Sequence, residues 1–266
     1  MTELPSCLYE IGGDGLAVPT GLTRGPWDRR FQHAGPPAAL LCRAAEAASG
    51  LDDALTARLS FDILRPVPLA PHAVSARVLR PGRNVELVES TLADAGTGDE
   101  LMRLTAWRLR TEPLELPEPL GTPDPPPPPP EGGEISLPSF WTEPVAYHAA
   151  LDWRFVAGTF DGPGPAATWT RLKVALVAGE PPTPLQRLLV MADAASGISA
   201  VLDWERFSFA NVDLGINLER PPEGEWMAMD AVTRPGPAGA GLCVGVLSDS
   251  RGRVGVSTQT LRVTAR

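Results

Sequence analysis

Residues 36–49, PPAALLCRAAEAAS, and residues 184–196, PLQRLLVMADAAS, decide the fold, because each reads as one apolar helix and the two read alike. Gly35 and two prolines open the first, Leu40, Leu41 and Ala44 form its apolar stripe, and Gly50 stops it. The second runs to its own stop at Gly197 and carries Leu188-Leu189 in the place of Leu40-Leu41. Ala48-Ser49-Gly50 matches Ala195-Ser196-Gly197 in the same way.

Outward from each helix the pattern changes to alternation. After the first come strand-like segments at 58–64, 72–79, 85–93 and 101–109, with Leu59, Phe61 and Ile63 on one face of the first segment. Turns at Pro81-Gly82 and Ala95-Gly96-Thr97-Gly98 separate the later ones. Strand candidates at 153–155 and 167–176 precede the second helix, and 207–218, 226–232, 241–248 and 254–263 follow it. Arg65-Pro66 matches Arg220-Pro221, Arg80-Pro81 matches Arg234-Pro235, and Asp94 matches Asp249, in one order at a nearly constant offset. The chain is therefore a duplication. Between the copies lie six consecutive prolines at 125–130. Proline removes backbone donors and favours an extended helix, so this stretch reads as a semi-rigid spacer. The organisation is a first domain over residues 1–112, a proline-rich linker over 113–139 and a second domain over 140–266.

Several antiparallel strands with one apolar face need a cover, and one helix per copy supplies it, which makes the fold class α+β. Two copies can join sheet edges into one continuous sheet with both helices on the same side. The cleft between the helices is then the natural ligand site.

With 266 residues, the chain has room for two domains of about 100–150 residues each. A net charge of −9 argues against nucleic-acid or anionic-membrane partners. Arg24, Arg29 and Arg30 form the candidate basic patch for an acidic ligand. Cys7, Cys42 and Cys243 are scattered, odd in number and without CxxC spacing, so they read as reduced, mostly buried thiols and not as a zinc site. With no basic-then-apolar start at Met1 and no apolar run of about 20 residues, the expectation is a soluble, cytoplasmic protein.

Asp193 is the sharpest chemical candidate, a carboxylate inside the apolar stretch 188–195, where burial without a partner is expensive. Matching the Leu-Leu pairs sets Ala45 opposite it, so the fold itself does not demand an acid there. The bland alternative is an aspartate on the solvated side of the helix. A G-x-S-x-G serine and a phosphate-binding glycine loop are both absent, and Gly12-Gly13-Asp14-Gly15 reads as a turn before a strand.

One helix wrapped by a long antiparallel sheet, in tandem, resembles the double hot-dog arrangement of the TesB-like acyl-CoA thioesterases. The carriers are His33-Ala34-Gly35, residues 189–193 (LVMAD), residues 210–213 (ANVD) through Arg220-Pro221, and Ser257-Thr258-Gln259. The resemblance implies hydrolysis of acyl-CoA to free fatty acid and CoA, with no cofactor. It makes Asp193 the group that activates water or attacks the thioester. It places Asn211 where the family commonly has a threonine that orients water, and an amide arranges donors and acceptors differently. It places a glutamine on the last strand, which is Gln259 if the turn at Arg251-Gly252 is one residue short and Thr260 if it is not; only one of these neighbours can face the site. The amides of Ala34 and Gly35 are the candidate oxyanion donors, with His33 an auxiliary or a structural residue and Asp213 a strand-end cap. A homo-oligomer is plausible by the same likeness. Two alternatives stay open: an acyl-binding protein that kept the fold and lost activity, and, less favoured, a double hot-dog hydratase, for which neither His72 nor His148 has suitable surroundings.

Overall fold

In the computed structural model, which describes residues 4–115 and 141–266, both copies contribute to one sheet. The first half opens with a hairpin, β1 (Cys7–Ile11) and β2 (Ala17–Pro19). Helix α1 (Gly35–Ala48) follows, then β3 (Ala54–Ile63), β4 (His72–Arg80), β5 (Val85–Asp94) and β6 (Glu100–Arg110). The second half repeats the plan with β7 (Leu151–Ala157), β8 (Ala166–Leu172) and a short β9 (Ala175–Val177), then helices α2 (Pro184–Ala192) and α3 (Ala195–Ile198). Its last strands are β10 (Phe207–Asn211), β11 (Asp213–Leu218), β12 (Trp226–Pro235), β13 (Ala240–Asp249) and β14 (Gly252–Ala265).

The strand order β7-β8-β12-β13-β14-β11-β3-β6-β5-β4-β2-β1-β9 is nearly palindromic about the β11–β3 junction. There β14 mirrors β6, β13 mirrors β5, β12 mirrors β4, and the two hairpins lie at opposite ends. The junction is antiparallel, with Leu214 opposite Phe61 and Ile216 opposite Leu59, all four buried on one face. Joining edges here removes the unpaired strand that each copy alone would expose. Only Lys173 and Val174 separate β8 from β9, yet β9 pairs with β1 at the far end of the order. The sheet therefore curls until its margins approach each other, with the helices inside.

Gly35 is fixed by the helix crossing. A Cβ there would lie 2.3 Å from the Val190 carbonyl oxygen of α2, so only glycine lets α1 and α2 approach this closely. The Tyr147 hydroxyl donates to that same carbonyl at 2.6 Å. Leu40, Leu41, Leu188 and Leu189 are buried in the common core, as their matched positions imply.

Two sequence expectations need correction. The helix over 184–196 is not continuous, since α2 ends at Ala192 and α3 begins at Ala195. The strand over 207–218 is broken at Val212, whose amide turns to the Thr260 carbonyl while its own carbonyl accepts from Ile63 across the junction. The expected proline-rich linker lies outside the described residues apart from 113–115. Among the described residues no helix is long and apolar enough to cross a membrane.

Candidate active site

The break in the second helix is where the polar residues converge. The Gln259 side chain enters it from β14, donating from Nε2 to the Asp193 carbonyl at 2.9 Å and accepting at Oε1 from the Ser196 amide at 3.0 Å. A side chain inserted into the helical ladder takes over bonds that the helix would otherwise make, which is why α2 stops here. The same amide nitrogen lies 3.1 Å from Asp193 Oδ1. Gln259 is completely buried, whereas Thr260 is exposed and bonded through its hydroxyl and amide to the Asp213 carboxylate. Of the two neighbours, Gln259 faces Asp193 and Thr260 faces away. The turn before β14 is short, with only Ser250 and Arg251 between the paired Asp249 and Gly252, against four residues between Asp94 and Asp99 in the first half; both halves carry the same one-residue bulge beside the turn, at Val254 and at Leu101.

Asp193 is 6% exposed, so its carboxylate needs partners. Asn211 Nδ2, at the end of β10, donates to Oδ1 at 2.7 Å, and Gln259 supplies the second amide. Oδ2 lies 3.0 Å from His33 Nδ1. The His33 ring is stacked on Tyr147, with centroids 3.7 Å apart and planes 2° from parallel. Burial pushes the imidazole below its usual pKa and Asp193 pulls the other way, the net direction being down. A neutral ring facing a carboxylate carries its proton on Nδ1. The Gly35 amide also lies near this nitrogen, at 3.3 Å, and cannot donate to it once Nδ1 bears a proton.

Asp193, His33, Ala34 and Asn211 line a cavity of about 530 Å³ between the halves. Its other walls are mainly apolar and aromatic, including Trp27, Trp141, Phe160, Trp204 and Phe209. Buried carboxylate, amide donors, a neutral imidazole and a helix start facing one apolar cavity make a site suited to acid–base chemistry on an uncharged acyl group. His72 and His148 are engaged elsewhere, His72 with Gln32 and the Pro68 carbonyl and His148 against Trp141. In the candidate basic patch, Arg24 and Arg29 pair with Glu143 and Arg30 with Asp28, and Arg29 and Arg30 are exposed. Cys7, Cys42 and Cys243 are free and buried. Among the described residues no group of three or more His, Cys, Asp or Glu could hold a metal ion.

The expected pairing of Asp193 with Ala45 does not hold. Thr56 Oγ1 lies 3.4 Å from Glu46 Oε1, the same relation that Asn211 has to Asp193. Matching Ala48-Ser49-Gly50 to Ala195-Ser196-Gly197 sets Glu46 opposite Asp193, because the break in the second helix shifts the count by one. Sequence reasoning also missed Tyr147, the ring that holds His33, and the aromatic wall. Their residues come from loops and strand ends far apart in the chain, with no local pattern to connect them.

The family comparisons make this double hot-dog a thioester hydrolase by class. Residues 23–109 match the acyl-CoA thioesterase N-terminal domain and residues 117–263 match the acyl-CoA thioesterase C-terminal domain. The chain belongs to the acyl-CoA thioesterase family. It is similar in fold to a candidate thioesterase II from Thermobifida fusca YX, at 21% identity and TM-score 0.72 over 98% of each chain. It is also similar to the acyl-CoA thioesterase II TesB2 of Mycobacterium marinum, at 16% identity and TM-score 0.67 over 89% of this chain and 90% of that one. A hot-dog protein of Alicyclobacillus acidocaldarius aligns at 17% identity and TM-score 0.70 over 95% and 92%. No curated protein sequence is a significant match.

Proposed function

We propose that the chain hydrolyses acyl-CoA to a free fatty acid and CoA, with Asp193 as general base. The observation that carries this is the buried Asp193 carboxylate at the cavity, with Oδ1 taken by two amides and Oδ2 facing His33. Oδ1 is spent on orientation, and Oδ2 keeps a lone-pair position for water. Water oxygen adds to the thioester carbonyl carbon as Asp193 takes one of its protons. The Gly35 and Ala34 amides at the start of α1 stabilise the oxyanion. The C–S bond then breaks, and the proton passes from Asp193 to the departing thiolate. Asn211 and Gln259 hold the base in position.

Thiol release from acyl-CoA of graded chain length, by wild type and Asp193→Asn, tests this reading. Rapid release by wild type and its loss in the variant support it. Equal rates remove Asp193 from the chemistry, and no release from any thioester leaves an acyl-binding protein. The Asp193–His33 contact gives a hydratase one specific point in its favour. Consumption of enoyl-CoA without thiol release would replace hydrolysis by hydration. We further propose a two-domain division at residues 1–112 and 140–266, a cytoplasmic setting consistent with three free cysteines, and a homodimer, which sedimentation would detect.

A further inference from the structure

Seven of the chain's aromatic residues, out of 7 Trp, 7 Phe and 2 Tyr, line the one cavity that Asp193 faces. Three of them form a mutually packed wall. Trp27 and Trp204 have centroids 4.7 Å apart, Trp204 and Phe209 4.6 Å, and Trp27 meets Phe209 edge-on at 5.2 Å. Trp27 comes from a loop of the first half and the other two from the second, so the wall closes across the duplication. Phe209 lies two residues before Asn211 on β10, on the same face of the strand and about 7 Å along it. A thioester carbonyl attacked by water on Asp193 therefore puts the carbons next to it against this wall.

Resting on the hydrolase reading above, we propose that the site selects acyl groups carrying an aromatic ring at or one carbon from the carbonyl, in preference to straight alkyl chains. Fixed ring faces and edges reward a flat aromatic guest beyond its buried area. An alkyl chain of equal carbon number gains only burial and must freeze several rotors to obtain it. The rings are also half-immobilised by each other, so the ordering cost on the protein side is already met.

Phenylacetyl-CoA and octanoyl-CoA, with equal numbers of acyl carbons, are the discriminating pair. Wild type is expected to favour phenylacetyl-CoA in kcat/KM by about tenfold or more, an advantage of one or two ring pairs. Trp204→Leu and the more exposed Trp27→Leu should each shrink that ratio toward one, with the greater loss on the aryl substrate. An equal or better rate with octanoyl-CoA, or an unchanged ratio in both variants, overturns the proposal. Calorimetric titration of both thioesters into Asp193→Asn reads the same preference as binding. A preference there stands even if wild type releases no thiol, so this inference and the hydrolase reading fail separately.

Discussion

Asp193 and Glu46 occupy equivalent places in the two halves, each near the C-terminal end of its central helix and each contacted by a polar residue of the strand that follows the helices, Asn211 of β10 and Thr56 of β3. Their surroundings differ in one respect that decides the rest. The strand residue under Asp193 is Gln259, opposite Cys243, and the corresponding residue under Glu46 is Ala106, opposite Val88. With no amide to insert, α1 runs unbroken through Glu46 to Ala48. Glu46 does not line the cavity, and its polar neighbours form a different set. Arg108 sits between Thr56 on β3 and Glu86 on β5 in one row of the sheet, and Glu86 is bonded to the Ser49 hydroxyl and the Gly50 amide. Burial pushes the Glu46 carboxyl above its usual pKa, opposed by Arg108. The loop before α2 carries Glu180, which forms a two-point ion pair with Arg43 of α1. One half presents an acid to an apolar cavity, and the other ties its acid into the fold. A carboxylate on a helix is therefore not enough; the acid that lines the cavity is the one whose helix is opened by an inserted amide.

The counterpart network should matter for stability and the working site for rate. Arg108→Leu leaves Glu46 and Glu86 in the interior without their cation. It should lower unfolding free energy by about 3 kcal/mol in urea titration, with the kcat of the folded fraction unchanged. Gln259→Ala makes the second half resemble the first. It should cost about a hundredfold in kcat with little change in KM, and a structure of the variant should show α2 and α3 drawn into one helix. Asn211→Ala removes one of two amides from Oδ1 and should cost about tenfold. The smallest effect is on acid stability. His33, His72 and His148 all have pKa values lowered by burial, His148 to about 4. Below about 6.5 the unfolded chain binds protons that the folded chain does not, so stability is full above that pH and declines as pH falls toward 4. Tm should be lower at pH 5 than at pH 7.5, and a flat profile would contradict the buried neutral histidines.

Much of this was legible in the sequence because duplication repeats its own evidence. The two apolar helices, the Arg-Pro strand ends and the turn residues mark the same strand order twice, and the merging of edges follows from the need to pair them. Asp193 stood out because an acid in an apolar helix needs a reason. The break at Asp193 was not legible, because it depends on a tertiary contact, Gln259 inserted into the helix. That break shifts the overlay from Ala45 to Glu46, and the short turn after Asp249 sets the Gln259 register. The pairing of His33 with Asp193 was hidden for a similar reason, since Tyr147, from beyond the proline-rich stretch, sets the ring in place.

The most direct test sets the two acids side by side. Asp193→Asn and Glu46→Gln, both neutral and nearly isosteric, are compared with wild type for steady-state thiol release from one acyl-CoA. Asp193→Asn should lose about a thousandfold or more in kcat, within the range for a positioned base, and Glu46→Gln should stay within about twofold of wild type. Similar losses in both, or a larger one at Glu46, would contradict the assignment of the chemistry to the second half.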